Sequence, residues 1–161
     1  MQQQDPLHHQ YHHELLFVLL LRYDHIKFVT HLYHHYSNSD CLIYYEDDSE
    51  LKKLSRENSK CRIISYNTPK HKINSGKTIV NKIELKIFGE HNLQNLNAAK
   101  LVCKELGISS VSFYNKIKTF TGASNRLELI RENKESAIYK DFAHSPSKLK
   151  ATIHAMKKQF I

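Results

Sequence analysis

The residues from Ile83 to Gly107 constrain the fold more than any other stretch of the chain. Ile83, Leu85 and Ile87 alternate with polar neighbours, the period of a strand with one buried face. At Gly89 the period changes. Leu93, Leu96, Ala99, Val102, Cys103 and Leu106 then recur at helical spacing, and Gly107 supplies a stop. A strand that runs through a glycine into a helix is a building unit of an α/β sheet. The helix opens on a polar trio, His91, Asn92 and Asn95. Asn92 and Asn95 lie one turn apart and share a face. Two amides with donors and acceptors at that place suit a nucleobase or a sugar. The competing reading is that Asn92 caps the helix.

The rest of the chain alternates in the same way. Residues 15–21 form an apolar run that reads as a buried parallel strand. Seven residues are too few to span a bilayer, and Glu14 before the run and Arg22 after it do not suit a signal peptide. A helix is expected over 26–36, strands over 41–45 and 62–66, and between them a helix over 49–58 that starts on a cap at Asp48 or Ser49. A turn-rich segment over 67–81 precedes the strand at 82–88. After the helix at 92–106, a second helix over 110–120 carries Val111, Tyr114, Ile117 and Phe120 on one face. Beyond Gly122, strands over 127–131 and 137–141 flank a polar turn. Ser145-Pro146 then starts a helix with Leu149, Ile153, Met156 and Phe160 on its apolar side. This order predicts an α/β fold with a mostly parallel sheet. Residues 1–14, rich in His and Gln, read as a disordered start without function. The expected domains are 15–122 and 123–161, divided at Gly122.

Composition narrows the partners. Hydrophobic content of 40% and charged content of 25% are ordinary for a globular chain. A formal charge of +8 fits a protein that holds polyanions. The basic residues are scattered, however, and no aromatic-basic repeat marks a nucleic-acid module, so a nucleotide or a UDP-sugar suits the charge better. Cys41, Cys61 and Cys103 are odd in number and widely spaced, which implies neither a disulfide framework nor a zinc site and fits a reduced cytoplasmic compartment. Asn74-Ser75-Gly76-Lys77-Thr78 imitates a phosphate-binding loop. The true loop needs G-x-x-x-x-G-K-[ST], and position 71 is His, so the segment reads as an exposed turn. His31, His34 and His35 fall on one helix face, best read as solvated.

Several wordings coincide with a known family. Gly89-Glu90-His91-Asn92-Leu93-Gln94-Asn95-Leu96-Asn97-Ala98-Ala99 after a strand resembles the central ATP-binding domain of the Mur ligases, bacterial cell-wall amide ligases related to folylpolyglutamate synthetases. Gly122 to Glu128 is similar to the family's G-x-x-x-R-x-E junction. Asp141-Phe142-Ala143-His144-Ser145-Pro146 is similar to its D-[YF]-A-H-x-P motif, and Tyr23-Asp24-His25 to its metal-binding turn. The resemblance implies the end of a central ATP-binding domain followed by the truncated start of a Rossmann-like C-terminal domain. It implies ATP contacts from His91, Asn92, Asn95, Arg126, Asp141 and His144, and a magnesium ligand at His25. Arg22 departs from the family pattern there and opposes a metal. The family's phosphate loop lies upstream of the Y-D-H turn, so the chain is expected to lack it. The implied activity is ATP-dependent joining of UDP-N-acetylmuramate to an amino acid or peptide through an acyl phosphate, with this chain alone inactive. The wording D-F-A-H-S-P-S-K leans toward the family's recycling ligase, whose acceptor is L-alanyl-γ-D-glutamyl-meso-diaminopimelate, with the L-alanine-adding ligase its rival. The alternatives are a non-catalytic basic α/β nucleic-acid-binding module and a decayed, inactive gene product.

Overall fold

In a computed structural model the described residues are 17–20, 40–57 and 61–161. The chain divides into two compact units between Tyr66 and Asn67. The histidine-rich start, His25, the expected helix at 26–36 and its three histidines lie outside the described residues.

The first unit carries the parallel sheet that the sequence leads one to expect. Its strands β1 (Phe17–Leu20), β2 (Cys41–Tyr45) and β3 (Arg62–Tyr66) pair in that order, both pairs parallel. Every residue of β2 is buried. A central strand covered on both faces selects a continuous apolar run, and Cys-Leu-Ile-Tyr-Tyr is one. Helix α1 (Ser49–Glu57) follows β2. Asp48 caps it: the backbone N–H groups of Glu50 and Leu51 both donate to Asp48 Oδ1 at 3.1 Å.

The second unit opens differently. Strands β4 (His71–Asn74), β5 (Lys77–Val80) and β6 (Ile83–Leu85) form an antiparallel meander. Both connections have two residues. Ser75 and Gly76 have φ of 48° and 73°, and Asn81 and Lys82 have φ of 51° and 65°. Paired positive φ is the turn whose twist matches that of the flanking strands. The imitation phosphate loop is therefore a hairpin tip, as expected of a turn. The strands beside it were hidden, because each is only four residues long and flanked by polar ones.

After the meander come α2 (Glu90–Glu105) and α3 (Ser110–Ile117). Val80, Leu85, Ile87, Leu93, Leu96, Phe113 and Tyr114 form their shared core. Three expected members turn outward: Leu106 is 59% exposed, Val111 72% and Phe120 44%, while Phe113 is buried instead. The hairpin β7 (Glu128–Glu132) and β8 (Ala137–Lys140) and the helix α4 (Pro146–Phe160) complete the unit. Ser145 caps α4 by accepting from Lys148 N–H at 3.4 Å, as its sequence predicts. Only part of the expected apolar side of α4 packs: Met156 lies against Phe88 and Leu127, and the Phe160 ring against those of Phe88 and Tyr139. Leu149, Ile153 and Phe160 are about half exposed, and Ala155 and Gln159 are buried. The junction expected near Gly122 lies inside this second unit, where Phe88, Leu127 and Ala155 share a small core.

Candidate functional site

Gly89 sets the geometry of the site. It is the N-cap residue of α2, with φ 84° and ψ 141°, a conformation open almost only to glycine. Its missing side chain also lets α4 approach, since a Cβ there would stand 3.0 Å from Ala155 Cβ and 3.3 Å from His91 Cε1. The cap makes no side-chain hydrogen bond to the helix. Asn92 accordingly does not cap α2. It points backwards instead, and its Nδ2 donates to the Phe88 carbonyl at 2.9 Å. Asn95, one turn on, is exposed.

His91, Arg126 and Asp141 come together from the start of α2, the 122–128 junction and the end of β8. The His91 ring is half-buried, and that burial holds its pKa below the ordinary histidine value; Asp141 acts the other way and the Arg126 cation adds to the depression. A histidine so placed is neutral at pH 7, a hydrogen-bonding group rather than a charge.

The junction itself is laced by carboxylates. Asn125 and Leu127 have positive φ, 57° and 46°, and their N–H groups are taken by acids from the two motifs. Asn125 N–H donates to Glu128 Oε2 at 2.8 Å, and Leu127 N–H donates to Asp141 Oδ2 at 2.9 Å. Phe142 N–H donates to Asn125 O at 2.9 Å, which ties the loop before α4 to the same turn. Asp141 thus has a structural role through one oxygen, and Oδ1 is left to accept a further bond. Arg126 projects from this turn and is exposed.

His144 is engaged separately. Its ring lies 5.3 Å from that of Phe142, with Nδ1 3.3 Å from Phe142 O and Nε2 3.3 Å from Lys148 Nζ. A neutral ring with its proton on Nδ1 satisfies both contacts, donating to the carbonyl and accepting from the lysine. Among the described residues no group of three His, Cys, Asp or Glu side chains is placed to hold a metal ion.

Two amides that sequence reasoning passed over anchor α2 to the segment that enters the second unit. Gln94 Nε2 donates to Thr68 Oγ1 at 3.0 Å, and Asn97 Nδ2 donates to Asn67 O at 2.8 Å. Gln94 is buried, between Leu93 and Leu96. Nothing local marks a glutamine as buried, because its partner sits 26 residues away.

No family model matches the chain. Known proteins do. The chain is 39% identical over 85 residues to the UDP-N-acetylmuramate–L-alanine ligase of Caldicellulosiruptor bescii, a match covering 53% of this chain and 19% of that protein. It is 37% identical over 79 residues to the enzyme of the same name from Aquifex aeolicus, covering 49% and 17%. Over this segment the chain is similar to Mur ligases. It spans only about a fifth of the length of these curated relatives. Among solved structures, the fold is that of the UDP-N-acetylmuramoylalanyl-D-glutamyl-2,6-diaminopimelate–D-alanyl-D-alanyl ligase of Acinetobacter baumannii, with a TM-score of 0.70 and 18% identity over 89% of this chain and 37% of that one. The UDP-N-acetylmuramate–alanine ligase of Thermotoga maritima aligns with a TM-score of 0.61 and 17% identity, over 86% and 37%. Both likenesses agree with the α/β fold. In this segment the acidic residues of two motifs, Glu128 and Asp141, hold backbone, while Arg126 between them faces outward.

Proposed function

We propose that the chain supplies nucleotide contacts to an ATP-dependent ligase that joins UDP-N-acetylmuramate to an amino acid or peptide. The supporting observation is that His91, at the start of α2, lies within electrostatic reach of both Asp141 and Arg126. The groups fit a nucleotide. The Arg126 guanidinium offers paired donors to phosphate oxygens. Asp141 Oδ1 accepts from a ribose hydroxyl. Asn95 and the carbonyl end of Asn92 face the edge of a base, and neutral His91 adds one directional hydrogen bond without a charge. His144, beside Lys148 at the start of α4, completes the nucleotide set.

In this reading a carboxylate of the UDP-sugar takes the γ-phosphoryl group, and the acceptor amine then displaces phosphate. The residues described here bind and orient; they do not transfer protons at the reacting carbon. The family resemblance implies that His25 would hold a magnesium ion, which would offset phosphate charge. The turn at 121–126 serves as the hinge between the nucleotide-binding part and the following domain. A cytoplasmic location goes with these substrates.

Thermal unfolding with increasing ATP tests the proposal. A saturable rise in Tm is expected. Asn95→Ala and Arg126→Ala should each weaken ATP binding by about 1–3 kcal/mol, the scale of stranding a polar partner. A Tm indifferent to ATP would sink the reading. This chain alone should release no acceptor-dependent phosphate, because its only G-K-T is a hairpin tip.

A further inference from the structure

The last turn of α4 is fastened to the β4–β5 hairpin by a buried polar clamp. Gln159 is 5% exposed and Thr78 only 1%. Thr78 Oγ1 donates to Gln159 Oε1 at 3.0 Å, and Gln159 Nε2 donates to the Gly76 carbonyl at 2.6 Å. Both ends of the buried amide therefore have partners. The Phe160 ring lies over the hairpin tip, where a Cβ on Gly76 would meet it at 3.6 Å.

Apolar burial explains only part of this seat: Ala155 and Met156 pack with Phe88 and Leu127, and the Phe160 ring meets those of Phe88 and Tyr139. Leu149, Ile153 and Phe160 form the stronger stripe of α4, yet they remain about half exposed. The buried pair Ala155 and Gln159 lies on the adjacent row, about 100° around the helix. The directional bonds of Gln159 fix which face of α4 sits against the hairpin. That face brings Ala155 onto Gly89, beside the His91 ring. The loop leading into α4 is joined to Asn125 through Phe142 N–H, and Asp141 to Leu127, so Asp141 and Arg126 are carried with it.

We propose that Gln159 is a positioning residue, whose clamp on Thr78 and Gly76 fixes the seat of α4 and so the placement of Asp141 and Arg126 against His91. Its consequence for nucleotide binding rests on the function proposed above, but the clamp itself does not.

The two claims separate in one set of samples. The His91 ring is titrated by NMR in the wild type, in Gln159→Met and in Thr78→Val. Gln159→Met keeps the volume and removes both bonds. Thr78→Val keeps the shape and removes one donor, and it also decides the matter if Gln159→Met does not fold. In a variant that keeps the wild-type far-UV circular dichroism, the His91 midpoint should rise toward the ordinary value of about 6.5, because the burial that depresses it is relaxed. The rise should be smaller for Thr78→Val. An unchanged midpoint in the folded variants overturns the clamp. ATP affinity, measured on the same samples, should fall wherever the midpoint rises. Retained affinity beside a shifted midpoint overturns the positioning role. A wild type without any response to ATP removes the nucleotide reading, and the His91 titration still judges the clamp.

Discussion

Helix α2 is held in two unlike ways. Its middle rests on a dry core, where Leu93 and Leu96 pack with Val80, Leu85, Ile87, Phe113 and Tyr114. Its start meets α4 through a three-residue core, a close glycine contact and one ion pair, while the Gln159 clamp seats α4 on the neighbouring hairpin. The first contact is set by area and tolerates variation in shape. The second is set by direction and fit. The functional residues gather at the second, where a shift of an ångström changes which groups face one another.

The comparison predicts its largest effect in the dry core. Leu93 is 1% exposed, and Leu93→Ala should cost about 2–5 kcal/mol, as expected for an unrelieved cavity in a packed interior. Thermal and denaturant unfolding measure it. A cost below about 1 kcal/mol would mean that this core is loosely packed, and the contrast with the α2 start would disappear.

Gly89→Ala comes next. Alanine at φ 84° and ψ 141° is strained, at about 1–3 kcal/mol. Its Cβ also meets Ala155 Cβ at 3.0 Å, so α4 must move away. Unlike Leu93→Ala, this change should alter the surroundings of His91 in the folded state. An NMR spectrum in which only residues 88–90 shift would show that α4 does not depend on this contact.

The same contrast explains what could be read in the sequence. The strands at 41–45 and 62–66, the α1 cap at Asp48, the α2 stop at Gly107 and the Ser145 cap follow local rules, and each lies where those rules put it. The family wording picked out His91, Arg126 and Asp141, which the fold brings together. What was not legible depends on distant partners. Gln159 finds Thr78 across 81 positions, and Gln94 finds Thr68 across 26. On α4 periodicity found Met156 and Phe160, which pack, but also Leu149 and Ile153, which stay half exposed, and it missed the buried Gln159 because it weighs only apolar residues. The first two strands of the meander, at 71–74 and 77–80, were read as turns because they carry lysine, histidine and asparagine between the apolar positions.

Acid should weaken the α2 start in two separate steps. Burial lowers the folded-state pKa of His91, so its neutral form is favoured in the fold; that stability is present above about pH 6.5 and is lost as pH falls through the depressed value. Glu90 is also lowered, first by its hydrogen bond from Lys158, and its contribution is lost only below about pH 4.3. Stability measured between pH 7 and 5 should therefore decline, and His91→Gln should flatten that part of the profile while leaving the steeper acid limb. A variant with an unchanged slope would assign the decline to another group.

The smallest effect belongs to the ion pair itself. Lys158 Nζ lies 2.9 Å from Glu90 Oε1, with side-chain exposures of 45% and 52%. Glu90 is in the first turn of α2 and Lys158 in the last turn of α4, so each charge also complements its own helix dipole. Water screens both partners, and two flexible side chains must be ordered to meet. Lys158→Ala should cost about 0–1 kcal/mol, falling further at high salt. A double-mutant cycle with Glu90→Gln isolates the pair from the dipole terms. A coupling as large as the Leu93→Ala loss would mean that charge, rather than the buried amide of Gln159, holds the end of α4, and Gln159→Met would then leave the His91 titration where it was.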